Sequence, residues 1–315
     1  MNKNSFIYRF LKRVENPSNN IIFYYLNTFM CLTLSFYGKI LARSLTHKNN
    51  ATIILFASRS AGDTVFLSYL FKDFLKACKI NNYILVVDSG SCYKAAKSLN
   101  FENLYPVNVL KLKALLIYQR VNIFKAPNVV DCYPWCMFDL MQSSYGFKDN
   151  SNNNLNKIIG PIEENISATK DTILLCPYEN SITEHGLPKL PVEFWNNLVI
   201  ELNKLNYKVF TNCSGKDNEP VLQGTEKIFP DFSEIQKTLD EIGKCVMIRS
   251  GFSDFALSSK ADKIVLYPNK KSVDYWSLYR TNNNANCYEI IYEEYLSDYS
   301  SLIQSICDHF EKSIR

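Results

Sequence analysis

The stretch TIILFASRSAGDTVFLSYLFKDFLK (residues 52–76) decides the fold class. It begins with an apolar run typical of a buried strand, turns through small and charged residues, and continues from Thr64 with apolar residues at helical spacing. A strand followed by such a helix is the repeating unit of a parallel α/β sheet. A structural turn needs only the glycine and a cap. The arginine, the two serines and Asp63 therefore make this turn a candidate functional site.

The same alternation continues along the chain and predicts two α/β domains. YILVVD (83–88), NLYPV (103–107) and VNIF (121–124) indicate further strands, and an asparagine-rich stretch at 148–157 indicates a linker. Strands and helices then alternate again from TILLCPY (172–178) to KIVLYP (263–268). We expect two Rossmann-like, doubly wound domains facing a cleft, preceded by an extra N-terminal helical segment.

The expected boundaries follow from this alternation. They are an N-terminal helical segment at 1–50, a first Rossmann-like domain at 51–160, a second at 161–292, and a C-terminal helix at 293–315 that either ends the chain or crosses back to the first domain.

Composition limits the function classes. With 315 residues, 47% apolar residues and a net charge of +4, the chain suits two folded domains that favour anionic small molecules or a membrane surface. This weak basicity does not indicate nucleic acid binding. The ten cysteines form no CxxC and the histidines number only three, which favours reduced thiols in a cytoplasmic protein and argues against a metal enzyme.

The N-terminal stretch 20–45 is apolar and aromatic, with Lys12 and Arg13 before it and Lys39 and Arg43 near its end. It is marginal for a transmembrane span, and the absence of a small-residue cleavage site argues against a signal peptide. Two interpretations stay open: a helix packed on the protein's own domain, and a helix lying on a membrane surface.

Loops after strands carry the candidate chemistry, because ligands of doubly wound sheets bind beyond the carboxyl ends of the strands. In the first loop Gly62 permits close backbone approach. Asp63 stands at a helix start, where it is either a general base or a helix cap. In the second half, Lys189 precedes a helix that begins near Pro191. It is either a phosphate ligand or a solvated lysine.

Two more loops belong to this set. Ser214 and Gly215 follow another strand. IRSGFSDFALSSKAD (248–262) places Arg249, Ser250 and Gly251 between a strand and a helix, as a nest for a diphosphate. Capping by Ser250 or Ser253 explains part of that turn without a ligand, but it does not explain the arginine.

Taken together, these motifs resemble the GT-B glycosyltransferases of the heptosyltransferase-like family (family 9). The resemblance rests on the Gly-Asp turn at 62–63, the Lys-x-Pro-x-x-x-Trp pattern at 189–195 and the Arg-Ser-Gly turn at 249–251, and it runs from Thr52 to Pro268.

The resemblance implies that Asp63 is the general base and that Lys189 contacts the donor phosphate or sugar. It also implies that Ser250 and Gly251 receive the donor diphosphate. The family commonly has Asp-Ser/Thr-Gly-x-x-His in the third turn, so Arg249 and Asp254 replace an acid and a histidine. This departure favours a different donor sugar, with Arg249 at the pyrophosphate and Asp254 at sugar hydroxyls. The complete set of expected residues is Asp63 as catalyst; Lys189, Ser214, Gly215, Arg249, Ser250, Gly251, Phe252, Ser253 and Asp254 on the donor side; Arg59, Ser60 and Gly62 on the acceptor side; and no metal ligand.

The function implied by the resemblance is transfer of a hexose or heptose from a nucleotide sugar to a hydroxyl of a surface glycan of the lipopolysaccharide or capsule type, without a metal or another cofactor. The expected place is the cytoplasm, peripheral on the inner face of the membrane, with a lipid-linked glycan as acceptor. Two alternatives remain. One is a catalytically degenerate binding or scaffold subunit, and the other is a sugar-nucleotide epimerase, which the scarcity of histidine disfavours. No GxGxxG follows the first strand, which argues against an NAD site.

Overall fold

The computed structural model describes residues 21–46, 50–58, 60–121, 129–133, 171–178, 187–215, 217–278 and 286–312, without the side chains of 21–27 and 275. Arg59 and the predicted linker at 148–157 lie outside the described residues. The described chain forms two compact units. The first holds the described residues up to 58 and those of 71–133, and the second holds 60–70 and the described residues of 171–312.

The first unit contains a parallel four-stranded sheet. Its strands are β1 (Thr52–Leu55), β2 (Tyr83–Asp88), β3 (Leu104–Val107) and β4 (Val129–Asp131), in the order β3-β2-β1-β4. Its helices are α1 (Ile21–Thr46), the last turns of α2 (Ala61–Ala77), α3 (Ser91–Ser98) and α4 (Val109–Val121). The strand predicted at 121–124 is wrong at its first residue, because the apolar periodicity of α4 continues through Val121.

The second unit contains a parallel six-stranded sheet. Its strands are β5 (Thr172–Cys176), β6 (Lys208–Asn212), β7 (Glu226–Ile228), β8 (Lys244–Ile248), β9 (Asp262–Tyr267) and β10 (Cys287–Ile291). Its helices are the first turns of α2, α5 (Val192–Lys204), α6 (Ile235–Ile242), α7 (Gly251–Phe255), α8 (Lys270–Trp276) and α9 (Tyr299–Lys312), with 3-10 turns at Phe232–Glu234 and Tyr292–Tyr295. The strand order is β10-β9-β8-β5-β6-β7. If these six strands are numbered 1 to 6 in chain order and read from the β7 edge, the order is 3-2-1-4-5-6. This is the Rossmann order, in which the chain reverses direction across the sheet between β5 and β8.

The C-terminal helix belongs to the second unit. Its apolar face, which includes Leu302, Ile306 and Phe310, is buried in the same core as Trp195 and Leu198 of α5. The described part of the helix therefore packs within the second unit.

These two sheets confirm the predicted α/β class with two Rossmann-like sheets, and α1 confirms the extra N-terminal helix. Within the described ranges, no helix combines the length and the apolar character that crossing a bilayer requires.

Candidate functional site

The candidate site lies in the second unit, at the edge of the sheet where the strand order reverses. β8 ends at Ile248, and Arg249 and Ser250 lead directly into α7. Residues 60–70, which carry the first predicted turn, group with this unit rather than with the sheet that precedes them. The two turns that the sequence identified separately therefore meet within one unit.

Two glycines allow the starts of α2 and α7 to approach each other closely. A Cβ atom added at Gly62 would lie 2.1 Å from Asp254 Oδ2 and 3.1 Å from the Cα of Gly251. A Cβ added at Gly251 would in turn lie 3.2 Å from the backbone nitrogen of Gly62. No side chain fits at 62 without displacing the carboxylate of Asp254, so the glycine of the first turn is required for this contact.

Arg249 is the hub of the site. Its Nη2 lies 2.6 Å from Asp254 Oδ1, and both side chains are almost completely buried. The guanidinium therefore offsets part of the cost of burying this carboxylate. Arg249 Nε donates to the carbonyl of Trp276 at 2.8 Å, and Nη1 donates to Ser250 O at 2.7 Å and to Ser253 Oγ at 2.9 Å. Nε and Nη1 are thus used by protein oxygens, and Nη2 pairs with Asp254.

The three charges of the site influence one another. Burial raises the pKa of Asp254 to about 6 against the opposing effect of Arg249, and the carboxylate of Asp63 adds to the rise. Burial lowers the pKa of Arg249, but the nearby Asp254, Tyr267 and Asp63 outweigh that effect and raise it above its usual value. Asp63 therefore lies within electrostatic range of both residues, which gathers the predicted base and two predicted donor residues in one cluster.

Asp63 is not the cap of its helix. Because α2 begins at Ala61, the N-cap position belongs to the exposed Ser60, and Asp63 is the third helical residue. A half-buried carboxylate there is favoured by the positive end of the helix dipole. The N-cap interpretation of Asp63 is thus wrong, while its role as a base stays a prediction.

The turn at 250–253 is closed by its own hydrogen bonds. Ser253 Oγ accepts the backbone N–H of Ser250 at 3.1 Å and donates to the carbonyl of Ser250 at 2.6 Å. It also accepts Nη1 of Arg249, and Ser253 is completely buried. All hydrogen-bonding positions of this hydroxyl are therefore used within the turn. Ser253 thus fixes the turn and has no hydrogen bond left for a bound ligand. The half-buried Ser250, Gly251 and Phe252 stay candidates for contact with a ligand.

Ser214 and Gly215 lie beyond the carboxyl end of β6, on the other side of β5 from Arg249. The N–H of Ser214 donates to Glu219 Oε2 at 3.2 Å, and its carbonyl accepts Lys227 Nζ at 2.7 Å. Gly215 has a φ of +75°, which only glycine adopts readily, and a Cβ there would lie 3.0 Å from Lys227 Nζ. Glu219 and Lys227 therefore hold this turn in place.

Lys189 is exposed on a backbone that is fixed on both sides. The hydroxyl of the buried Tyr292 donates to the carbonyl of Pro188 at 2.6 Å, and Leu190 is buried in the core of the second unit. Pro191 is the N-cap of α5 and offers no side-chain cap, so the first N–H groups of a 13-residue helix lie close behind the lysine. Anchored backbone, exposed cation and uncapped helix start suit an anionic ligand.

Sequence reasoning missed Tyr267 and Glu289, which hold the segment that Arg249 contacts. Tyr267 donates to Glu289 Oε1 at 2.8 Å, and Leu278 N–H reaches the same oxygen at 2.7 Å. The Tyr267 hydroxyl also lies 3.1 Å from the carbonyl of Trp276, which Arg249 shares. Trp276 itself is partly exposed, with its ring centroid 6.0 Å from Arg249 Cζ. Glu289 is forty residues further along the chain and follows no motif, so only the fold could bring it here.

No group of three His, Cys, Asp or Glu side chains within the described ranges could hold a metal ion.

Comparison with known proteins found no matching family model and no matching curated protein. Solved structures that match include the E. coli heptosyltransferase WaaC with ADP, at 11% identity and a TM-score of 0.49, covering 83% of this chain and 99% of that one. The same heptosyltransferase with ADP-2-deoxy-2-fluoro heptose matches at 11% identity and a TM-score of 0.40, covering 69% and 88%. A glycosyl transferase family 9 protein of Veillonella parvula matches at 10% identity and a TM-score of 0.47, covering 84% and 97%.

Proposed function

We propose that the chain is a glycosyltransferase that moves a sugar from a nucleotide sugar to a hydroxyl group, with Asp63 as the general base. The observation that carries the proposal is the meeting of Gly62 and Asp63 with Arg249, Gly251 and Asp254 where the strand order of a Rossmann sheet reverses. That edge is where doubly wound sheets bind nucleotides.

The proposed reaction divides the charges between two groups of residues. Asp63 accepts the proton of the acceptor hydroxyl while the hydroxyl oxygen bonds to the anomeric carbon. The bond from that carbon to the diphosphate breaks, and the nucleoside diphosphate leaves with an additional negative charge. Lys189 and the uncapped N–H groups of α5 are the proposed partners of that charge.

Arg249 has a supporting part in this proposal. Its Nε and Nη1 are used by backbone and hydroxyl oxygens, so its main effect is to fix the turn at 250–253 and the end of α8. Asp254 compensates the guanidinium charge and lies against Gly62, which sets the position of the residue that precedes the base. A direct contact from Nη2 to the pyrophosphate, and from Asp254 to sugar hydroxyls, is part of the proposal.

The finer assignments are also proposals. We propose a hexose or heptose as the transferred sugar, a glycan of the lipopolysaccharide or capsule type on a lipid as the acceptor, action at the inner face of a membrane, and transfer without a metal ion. They are supported by the motifs at 62–63, 189–195 and 249–251 and by the departure of the third motif from the family pattern.

The test separates binding from transfer. Nucleoside diphosphates are titrated onto the purified chain while tryptophan emission is followed, because Trp276 is partly exposed beside Arg249 whereas Trp195 is buried. A Trp276→Phe variant establishes the origin of the signal. Asp63→Asn is expected to bind the preferred nucleotide with unchanged affinity and to lose transfer by about 10²–10⁴-fold, the usual contribution of a general base.

Asp73→Asn is the matched control, because Asp73 is an exposed carboxylate on the same helix. It should leave both binding and transfer unchanged. If Asp63→Asn transfers as fast as wild type, Asp63 is not the base. If no nucleoside diphosphate binds, the transferase proposal fails.

A binding or scaffold subunit is the second candidate, and one observation favours it. Arg249 and Asp254 compensate each other's charge in a nearly water-free position, as a purely structural ion pair would. This candidate predicts that nucleotide sugars bind but are neither transferred nor hydrolysed at any acceptor concentration.

A further inference from the structure

One helix of the first unit carries an exposed apolar face. In α1 the side chains of Phe29, Phe36 and Ile40 are 69%, 59% and 52% exposed, and Leu32 is 44% exposed. Their spacing of three, four and four residues places all four on one side of the helix. Monomeric soluble proteins rarely leave such a continuous apolar stripe in water, so it marks a contact surface.

The opposite side of α1 is fixed to its own unit. Ala42 is buried in the core cluster that includes Leu115 and Tyr118 of α4. A Cβ added at Gly38 would lie 2.2 Å from the carbonyl oxygen of Ala114, so the two helices touch backbone to backbone. Because this face is already occupied, the exposed stripe is not the part of α1 that holds the fold together.

The charges around the stripe indicate which kind of partner it contacts. The helix contains Lys39 and Arg43 but no acidic residue, and the exposed Arg43 follows Ile40 by three positions. The preceding residues 1–20 contribute four basic residues and one acid, Lys3, Arg9, Lys12, Arg13 and Glu15. An apolar stripe with basic flanks is complementary to an anionic lipid surface, whereas a second copy of the chain would bring basic residues against basic residues.

We propose that the stripe of Phe29, Leu32, Phe36 and Ile40 docks the first unit on an anionic lipid surface, with α1 lying in the plane of the interface. The helix lies on the bilayer rather than crossing it, because its other face stays on α4. This docking gives the membrane location in the proposed function a contact surface, and its own evidence is the exposed stripe of α1 with the charges around it.

The test uses the full chain and sedimentation with vesicles of neutral phosphatidylcholine, alone or mixed with anionic phosphatidylglycerol. The structure supplies a matched pair of variants. Ile40 and Ile200 are both isoleucines in helices, and both are 52% exposed, but Ile200 lies on α5 of the second unit. Ile40→Glu is expected to weaken binding to anionic vesicles about tenfold or more, since it removes apolar burial and adds a repelled charge, whereas Ile200→Glu leaves binding unchanged.

A second variant keeps the test valid if Ile40→Glu perturbs folding. Phe36→Trp preserves the aromatic character of the stripe, and its emission should shift to the blue and be quenched by brominated lipids when vesicles are added. High salt should weaken wild-type binding, because exposed charges are screened.

Three outcomes overturn the proposal. Wild type that ignores both vesicle types and dissociates from a dimer when Ile40 becomes Glu assigns the stripe to a second copy of the chain. If wild type binds neither vesicle type, and both wild type and Ile40→Glu are monomeric, the stripe is covered by another part of the chain. Equal binding of Ile40→Glu and Ile200→Glu places the lipid contact elsewhere. Because none of these measurements uses a nucleotide, they succeed or fail separately from the transferase test.

Discussion

At the scale of single residues, Asp254 shows how burial and charge compete. Its carboxylate is almost completely buried, lies 2.6 Å from the guanidinium of Arg249, and still has a pKa raised to about 6, because loss of water and the neighbouring Asp63 outweigh the cation. Taking an ion pair out of water often costs more than the attraction returns. The position is therefore maintained at some expense in stability, which is typical of functional sites.

The first prediction concerns the pH dependence of this cost. An unfolded aspartate titrates near about 3.9, so between about pH 4 and about pH 6 the folded chain binds a proton at Asp254 that the unfolded chain does not. Binding of this proton stabilises the folded chain. Its contribution is complete below the pKa of aspartate in the unfolded chain and is lost as the pH rises through about 6. The free energy of unfolding of wild type, minus that of Asp254→Asn, is therefore expected to fall by roughly 1–3 kcal/mol over this range.

Urea unfolding at pH 4, 5, 6 and 7 measures this difference, and Ser68→Ala, which removes no ionisable group, is the control. Any difference between the neutral carboxyl group and the amide adds a pH-independent offset, which shifts this curve without changing its slope. A difference that stays level or increases with pH would contradict the assignment of the raised pKa.

At the scale of elements, sequence periodicity predicted the central strands well, whereas among the described edge strands it identified β3, predicted at 103–107, and not the other three. The buried runs at 83–88 and 172–176 match β2 and β5, because central strands of parallel sheets are apolar on both faces. β4, β7 and β10 were missed. β7 has only three residues, two of them charged, and β10 has a single buried residue, Ile290, among partly or fully exposed ones. Edge strands owe their pairing to the sheet already formed, so their own sequence carries little signal.

The candidate site was likewise predictable only where its own local sequence carries a signal. Gly62, Asp63 and the turn at 249–251 could be identified because their residue types are unusual at strand ends. The contact between Gly62 and Asp254 could not, because it depends on residues 60–70 grouping with the second unit. No local pattern encodes which unit a helix start will join.

The second prediction tests the approach of α2 to α7. Alanine favours a helix over glycine by about 1 kcal/mol, so Gly62→Ala would be stabilising if space were available. Because the new Cβ would lie 2.1 Å from Asp254 Oδ2, the variant is expected to lose about 1–3 kcal/mol of unfolding free energy instead.

Ser68→Ala on the same helix is the control and should change stability little. It introduces the same residue without adding an atom, and the hydroxyl that it removes donates to the carbonyl of Val65 in the same helix at 2.6 Å. The double variant Gly62→Ala/Asp254→Ala should recover part of the loss, giving a coupling between the two sites. Additive losses in the double variant would refute a direct conflict between the methyl group and the carboxylate.

At the scale of the whole molecule, the proposed function requires that ligand binding stabilise the folded chain. A saturating nucleoside diphosphate should raise the melting temperature, and at one hundred times Kd the gain is about 2.7 kcal/mol. A chelator is expected to leave this shift unchanged. Lys189→Ala should reduce the shift, because its exposed ammonium lies just before the uncapped start of α5.

The control for this variant is Lys204→Ala, an exposed lysine at the other end of the same helix, which pairs with Glu201 at 2.8 Å. It should keep the full shift. A shift that disappears with the chelator would overturn transfer without a metal, and an equal loss in both lysine variants would remove Lys189 from the site.

The grouping of residues 60–70 with the second unit also limits how this protein can be divided. The chain enters the second unit at 60, returns to the first at 71, and enters the second again beyond 133, so the two units are interleaved along the polypeptide. A fragment that starts at the predicted boundary of 161 would lack Gly62 and Asp63, and the buried face of Asp254 would open to water. Exchange of whole units with a related protein, in the laboratory or by recombination, would therefore have to transfer two separate pieces of sequence together. A single crossover between the two sheets would yield a chimera whose first turn and third turn come from different parents.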